Sequence, residues 1–183
     1  LGERGTAAIA GLLAARDGMF DPLLWLLVTF GLLFAHATNN LVNDITDHAK
    51  GVDKDNYFRT QYGPQPLENG LMTKPEVYLY TAVTGLIALT AGIALVAMRG
   101  EQTVWLLASG VFFVLFYTWP LKYIGMGEVA VIVVWGPLMV GGGYYVITGQ
   151  ISSSVIIASL PVALAATTVL FGKHTDKLEA DAA

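Results

Sequence analysis

Five long apolar runs, Leu23–Val42, Val77–Met98, Val104–Leu121, Val129–Thr148 and Val155–Gly172, decide most of what this chain can fold into. A helix rises 1.5 Å per residue, so about 20 residues cross the ~30 Å hydrocarbon layer of a bilayer, and each run is near that length. Pro137, Gly141 to Gly143 and Pro161 fall inside runs. Such residues would end a helix in water but are common within membrane bundles, where neighbouring helices repair the backbone. Composition agrees. The chain is 55% hydrophobic and 13% charged, against about 25% charged for a soluble domain. The pattern predicts an all-α, polytopic transmembrane helical bundle.

Other totals exclude chemistries. A net charge of −4 with ten Lys and Arg in no basic block argues against a nucleic-acid partner. The absence of Cys rules out a disulfide framework, a thiolate nucleophile and a Cys-ligated metal. Thr6–Ala15 is a shorter apolar stretch, read as the second half of a spanning helix. Residues 1–183 are therefore expected to be a single transmembrane domain, truncated at both ends.

Orientation follows from the cations. Arg4, Lys50, Lys54, Arg59, Lys74, Lys122, Lys173 and Lys177 fall on one side of the predicted bundle, Arg16 and Arg99 on the other. By the positive-inside rule the long Asn43–Glu76 connection faces the cytoplasm. Acidic residues crowd onto the same side, among them Asp44, Asp47, Asp53, Asp55, Asp176, Glu179 and Asp181.

The first constellation lies where the second helix leaves the apolar layer. If that helix continues to Asp47, then His36, Asn40, Asn43, Asp44 and Asp47 share an arc of about 100°. Oxygen donors of this kind suit a hard cation such as Mg²⁺, which is typically held by one or two carboxylates together with substrate phosphates. Gly51 lets the chain turn so that Asp53 can return toward the same place. A solvated, capped helix end is the plainer reading. Against it, the stripe climbs into the apolar run, where polar groups need partners or a wet cavity.

The second constellation is Phe171–Asp181, where Lys173, Asp176 and Lys177 share a face with Asp181 just beyond. Two facing acidic helix ends can hold metal ions that bridge a diphosphate, with lysines neutralising the departing charge. Between them Pro120 stops the fourth helix and sets Lys122 near the boundary, with Tyr117 about a turn inside. Interfacial anchoring is the plainer reading of that pair.

With these residues in view the chain resembles the UbiA superfamily of intramembrane prenyltransferases over essentially its whole length. The family's first aspartate motif corresponds to Asn43-Asp44-Ile45-Thr46-Asp47, extended through Gly51-Val52-Asp53. Its second corresponds to Asp176 and Asp181, and its central tyrosine and basic residue to Tyr117 and Lys122. The stretch from Gly125 to Val146 and the form of the first motif are similar to the branch containing the menaquinone-pathway 1,4-dihydroxy-2-naphthoate prenyltransferases. Two spacings depart from the family. Its usual eight-residue step from Asn would land on Gly51 rather than Asp53, and Asp176 to Asp181 is five residues where four is commoner.

The resemblance implies nine helices, about six of them here, around a central cavity, with Mg²⁺, a polyprenyl diphosphate donor and an aromatic or lipid-soluble acceptor in the membrane. It implies that Asp44, Asp47, Asp53, Asp176 and Asp181 hold metal and that Asn40 and Asn43 orient the diphosphate. Lys122, Lys173, Lys177 and Arg59 would engage phosphate, and the Tyr117 ring would stabilise an allylic cation. An ion-coupled transporter or channel is the rival from another class, but it would place ionisable groups near the midplane rather than at one face. A UbiA-like enzyme acting on a non-aromatic lipid is a further alternative. No HExxH spacing or Ser–His pairing occurs among His36, His48 and His174.

Overall fold

The computed structural model describes residues 3–51 and 65–175, and every regular element in them is helical. Six helices follow in order: α1 (Glu3–Arg16), α2 (Pro22–Lys50), α3 (Lys74–Arg99), α4 (Gln102–Phe116), α5 (beginning at Gly127–Val133) and α6 (Ser153–Thr175). Helix α4 runs on through a π-helical turn, Tyr117–Lys122, and α5 continues through a π-helical stretch, Val134–Gly141, into Gly142–Thr148. Five of the six, all but α1, are long and apolar enough to cross a membrane. The chain is a multi-pass membrane protein of the all-α class.

Local chemistry fixes the ends of α2. Asp21 caps its start by accepting from the Leu23 and Leu24 amides at 3.0 Å each, Pro22 occupies the first turn, and Gly51 closes the other end at φ 71°. The helix has 29 residues, about 43 Å at 1.5 Å each. It therefore outruns the ~30 Å hydrocarbon layer and carries its last turns, with Asn43, Asp44 and Asp47, into the interface. Helix α3 starts with a reciprocal cap in which Glu76 accepts from the Thr73 amide at 2.7 Å and the Thr73 hydroxyl at 2.8 Å. Pro120 does not simply stop α4. The chain breaks one residue earlier, at Trp119 (φ −138°, ψ 126°), and turns back as a further bend rather than running straight on.

Helix α5 is the centre of the bundle: 61% of its most apolar window is buried, against 6% for α4 and its π-helical turn. It is built for close approach. A methyl group on Gly136 would meet Ala163 Cβ at 2.9 Å and Ser159 Oγ at 3.1 Å on α6, and one on Gly143 would meet Ala10 Cβ of α1 at 3.2 Å. Small residues at these crossings let backbones pack where no hydrophobic force drives association. Around α5 the buried core gathers Ala10 and Ala14 of α1, Val140, Tyr144 and Ile147 of α5 itself, and Val155 of α6. Helices α2 and α3 pair along their length, with the Thr38 and Thr84 hydroxyls meeting at 3.0 Å.

The antiparallel order gives the bundle two unlike polar ends. One gathers Arg16, Asp17, Arg99 and the finish of α5. The other gathers the finish of α2, the turn before α3, the Trp119 bend and the start of α5. Leu170 of α6 lies 4.0 Å from the Cβ position of Gly127, so α6 also finishes at this second end.

Candidate active site

The second end is organised around Asp47, which has no exposed surface. Its carboxylate receives the Lys122 ammonium at 3.0 Å on Oδ2 and 3.2 Å on Oδ1, and the Tyr123 hydroxyl at 3.4 Å on Oδ1. The bend at Trp119 is what makes this possible, because it folds Lys122 and Tyr123 back against α2. A carboxylate out of water needs a countercharge and filled lone pairs, and removing one partner of such a pair typically costs about 3–5 kcal/mol. One turn earlier, Asn43 Oδ1 accepts from the hydroxyl of the fully buried Thr118 at 3.3 Å. Asp44, also buried, accepts from the Leu67 amide at 3.4 Å.

A short turn, 65–70, lies over this face. Besides Leu67 on Asp44, Glu68 pairs with His48 Nδ1 at 3.1 Å, and Asn69 Oδ1 accepts from the Gln65 amide at 2.8 Å. The Gln65 carboxamide is buried at 4% exposure, yet neither its oxygen nor its nitrogen has a hydrogen-bond partner among the described residues. Leaving such a group dry and unpaired costs about 1–3 kcal/mol. On the rim, the Lys50 ammonium stands 3.6 Å from the centroid of the Tyr123 ring and 5.4 Å from that of Trp119. This is cation–π geometry at an exposed aromatic pair.

The expected residues fare differently. Asn43, Asp44 and Asp47 lie together on the α2 extension, with Lys122 against them. Lys122, expected on phosphate, is paired with Asp47. Asn40 is exposed on the same helix, and it is the neighbouring Asn39 that ties α2 to α4, donating to the Val114 carbonyl at 3.1 Å. Tyr117 is half-buried at the start of the π-helical turn. His36 sets its ring edge-on to Trp135 at 5.8 Å. Lys173 lies on the last turn of α6, and Asp53, Arg59, Asp176, Lys177 and Asp181 lie outside the described residues.

Sequence reasoning missed Tyr123, Thr118 and Gln65. Tyr123 directly follows Lys122, and a bend in place of a helix stop is what brings both to one carboxylate. Gln65 sits in a connection with no periodicity to read.

Among the described residues Asn43, Asp44 and Asp47 carry an amide oxygen and two carboxylates on the last turns of α2, and no group of three or more His, Cys, Asp or Glu that could hold a metal ion forms. The donor set is all oxygen, which fits a hard divalent cation and not a soft one.

A multi-pass helical bundle with a buried carboxylate–lysine site at one polar end defines the class. The chain belongs to the UbiA prenyltransferase family, whose pattern matches residues 6–183. It is 30% identical over 183 residues to the UbiA prenyltransferase domain-containing protein 1 of Gallus gallus, covering 95% of this chain and 53% of that protein. It is 32% identical over 170 residues to the 1,4-dihydroxy-2-naphthoate octaprenyltransferase of Escherichia coli (strain K12), covering 86% and 53%. To the Homo sapiens UbiA prenyltransferase domain-containing protein 1 it is 26% identical over 177 residues, covering 95% and 52%. The chain thus spans about half the length of these relatives. No solved structure matches it.

Proposed function

We propose that the protein transfers a polyprenyl group from a prenyl diphosphate to an aromatic or quinone-precursor acceptor within the membrane, in a Mg²⁺-dependent reaction. The observation that carries this reading is the fully buried Asp47, held by Lys122 and Tyr123 at the tip of a spanning helix in a chain of this family.

In this reading Asp44 and Asp47, with Asp53, Asp176 and Asp181, hold Mg²⁺, which when bound supplies the positive charge that grips the diphosphate and eases its departure. Asn40 and Asn43 orient the diphosphate head. Lys122 balances Asp47 and, with Lys173, Lys177 and Arg59, meets the charge that grows on the leaving oxygens, an interaction stronger in the transition state than before it. The apolar walls of α2, α4 and α5 exclude water from the allylic cation, and the Tyr117 ring faces it as a π donor. Two observations support bringing the second acidic cluster to the same place: α6 finishes beside Gly127, and Gly127 lies 3.8 Å from the Lys122 backbone when its Cβ position is used.

The distribution of eight cations against two supports a cytoplasmic site face. A naphthoate-type acceptor is favoured by the sequence from Gly125 to Val146 and by the name of the Escherichia coli relative.

The test is acceptor-dependent diphosphate release by the full-length protein in membrane vesicles with Mg²⁺, using a panel of prenyl diphosphates and 1,4-dihydroxy-2-naphthoate, with products read by mass spectrometry. Prenylated acceptor is expected. Counter-ion flux without any diphosphate release would overturn the reading in favour of transport.

A further inference from the structure

Three polar contacts between α2 and α4 with its π-helical turn all join residues 75 positions apart. The Asn39 side-chain amide donates to the Val114 carbonyl at 3.1 Å, the Thr118 hydroxyl to Asn43 Oδ1 at 3.3 Å, and the Lys122 ammonium to Asp47 Oδ2 at 3.0 Å. A constant offset means that the two helices run the same way and stay in step. Residues 39, 43 and 47 follow one another at about a turn each, so the rungs climb one face of α2 over about 12 Å. The deepest rung differs in its acceptor: Asn39 holds main chain, whereas the two above it join side chains. It also lies outside the carboxylate cluster, within the apolar run, where a polar side chain needs a partner.

No tight loop sets this register, because the helices are parallel and the whole of α3 intervenes. Only 6% of the most apolar window of α4 and its π-helical turn is buried. In lipid no hydrophobic force draws helices together, so packing and hydrogen bonds decide how far one lies along the other. A slip of one residue would move α4 by about 1.5 Å and turn its side chains by about 100°. Thr118 directly precedes the break at Trp119, so such a slip would displace the start of the bend and carry Lys122 away from Asp47. We propose that Asn39 is a positioning residue: by tying the α4 main chain to α2 it sets the register that delivers Lys122 to Asp47. The consequence for turnover rests on the prenyl-transfer reading; the register itself does not.

The experiment reads register and turnover separately, in the full-length protein in membrane vesicles. Residues 1–183 contain no cysteine. Asn43→Cys with Thr118→Cys, and Ser in place of any cysteine elsewhere in the full chain, therefore gives one reporter pair, closed by a short bifunctional thiol reagent. In that background Asn39→Leu is expected to slow cross-linking about threefold, the effect of a typical interhelical hydrogen bond in a membrane. Asn39→Gln, which keeps an N–H donor, should stay within about twofold. Without the reporter cysteines, Asn39→Leu should lower kcat for diphosphate release about three- to tenfold and leave KM for the acceptor within about twofold. Should that variant fail to fold, Asn39→Ala replaces it. The control is Thr84→Val, which removes the contact with Thr38 that joins α2 to α3 at the same depth and should leave both readouts within about twofold. Cross-linking that ignores Asn39→Leu overturns the proposal, as does an equal loss in Thr84→Val, which would make Asn39 one structural contact among others. Slower cross-linking with kcat at the wild-type value also overturns it. A register that depends on Asn39, in a wild type that releases no diphosphate with any acceptor, would refute the prenyl-transfer reading while leaving the register assignment standing.

Discussion

The two polar ends of the bundle handle the same problem, charged and polar groups beside an apolar layer, in opposite ways. At the end formed by α1, α3 and the finish of α5, polar groups are spent on closure. Arg99 donates to the Val146 and Ile147 carbonyls that terminate α5, and Tyr144 donates to Asp17 at 2.8 Å, which is itself paired with Arg16 at 2.7 Å. These contacts satisfy backbone carbonyls and join connections. At the other end Asp47 is fully buried, Asp44 is buried one turn earlier, and the buried Gln65 amide has no hydrogen-bond partner among the described residues. The difference teaches how each end uses its charge: the first spends its arginines on backbone carbonyls and a surface acid, although the buried Thr103 hydroxyl there has no hydrogen-bond partner among the described residues, and the second draws two carboxylates out of water.

The sharpest way to break this contrast is Asp47→Ala, expected to abolish diphosphate release while the protein still inserts, because its part is strongest in the transition state. Activity near wild type with Mg²⁺ present would remove Asp47 from the chemistry. Next in size is Lys122→Met, which strands a buried carboxylate and should lower stability by about 3–5 kcal/mol in detergent unfolding. Adding Asp47→Asn to it should restore most of that stability without restoring turnover, separating the pair's structural role from its chemical one.

At the closed end Arg99→Ala should cost about 2 kcal/mol through two charge-assisted bonds, with kcat and KM for both substrates unchanged. A large kcat loss there would show that the ends are coupled. The smallest effect concerns Asp17. Hydrogen bonds from Arg16 and then Tyr144 hold its carboxyl below the ordinary 3.8. The stabilisation is therefore complete above the unfolded group's value and drains away as pH falls through the lower folded value. The stability gap between wild type and Asp17→Asn should hold steady from neutral pH down to about 4 and shrink below it, as followed by thermal unfolding across pH.

The contrast also marks what could be read from the amino acids. The five spans were legible because run length against bilayer thickness is a one-dimensional question. The α2 stripe was legible because Asn43, Asp44 and Asp47 lie on one helix, where angle follows from residue number. Contacts across elements were not. Lys122 was noticed, but its pairing with Asp47 depends on the bend at Trp119, a backbone event that Pro120 hints at without giving its direction. Tyr123 comes with that bend. Gln65 depends on a turn held by Asn69 and Asp44, and no pattern in the sequence separates it from other connecting residues.

Gly136 sits midway along the central helix, at the place where α6 crosses it most tightly. A single added methyl there would act like a wedge between two helices, beneath the point where Pro161 already interrupts the hydrogen bonding of the 23-residue α6. A displacement of a few tenths of an ångström at the crossing would have to be taken up by Ser159 and Ala163, on either side of Pro161. One hydrogen atom in place of a side chain, deep in the apolar layer, thus sets how near α6 can lie to the middle of the bundle.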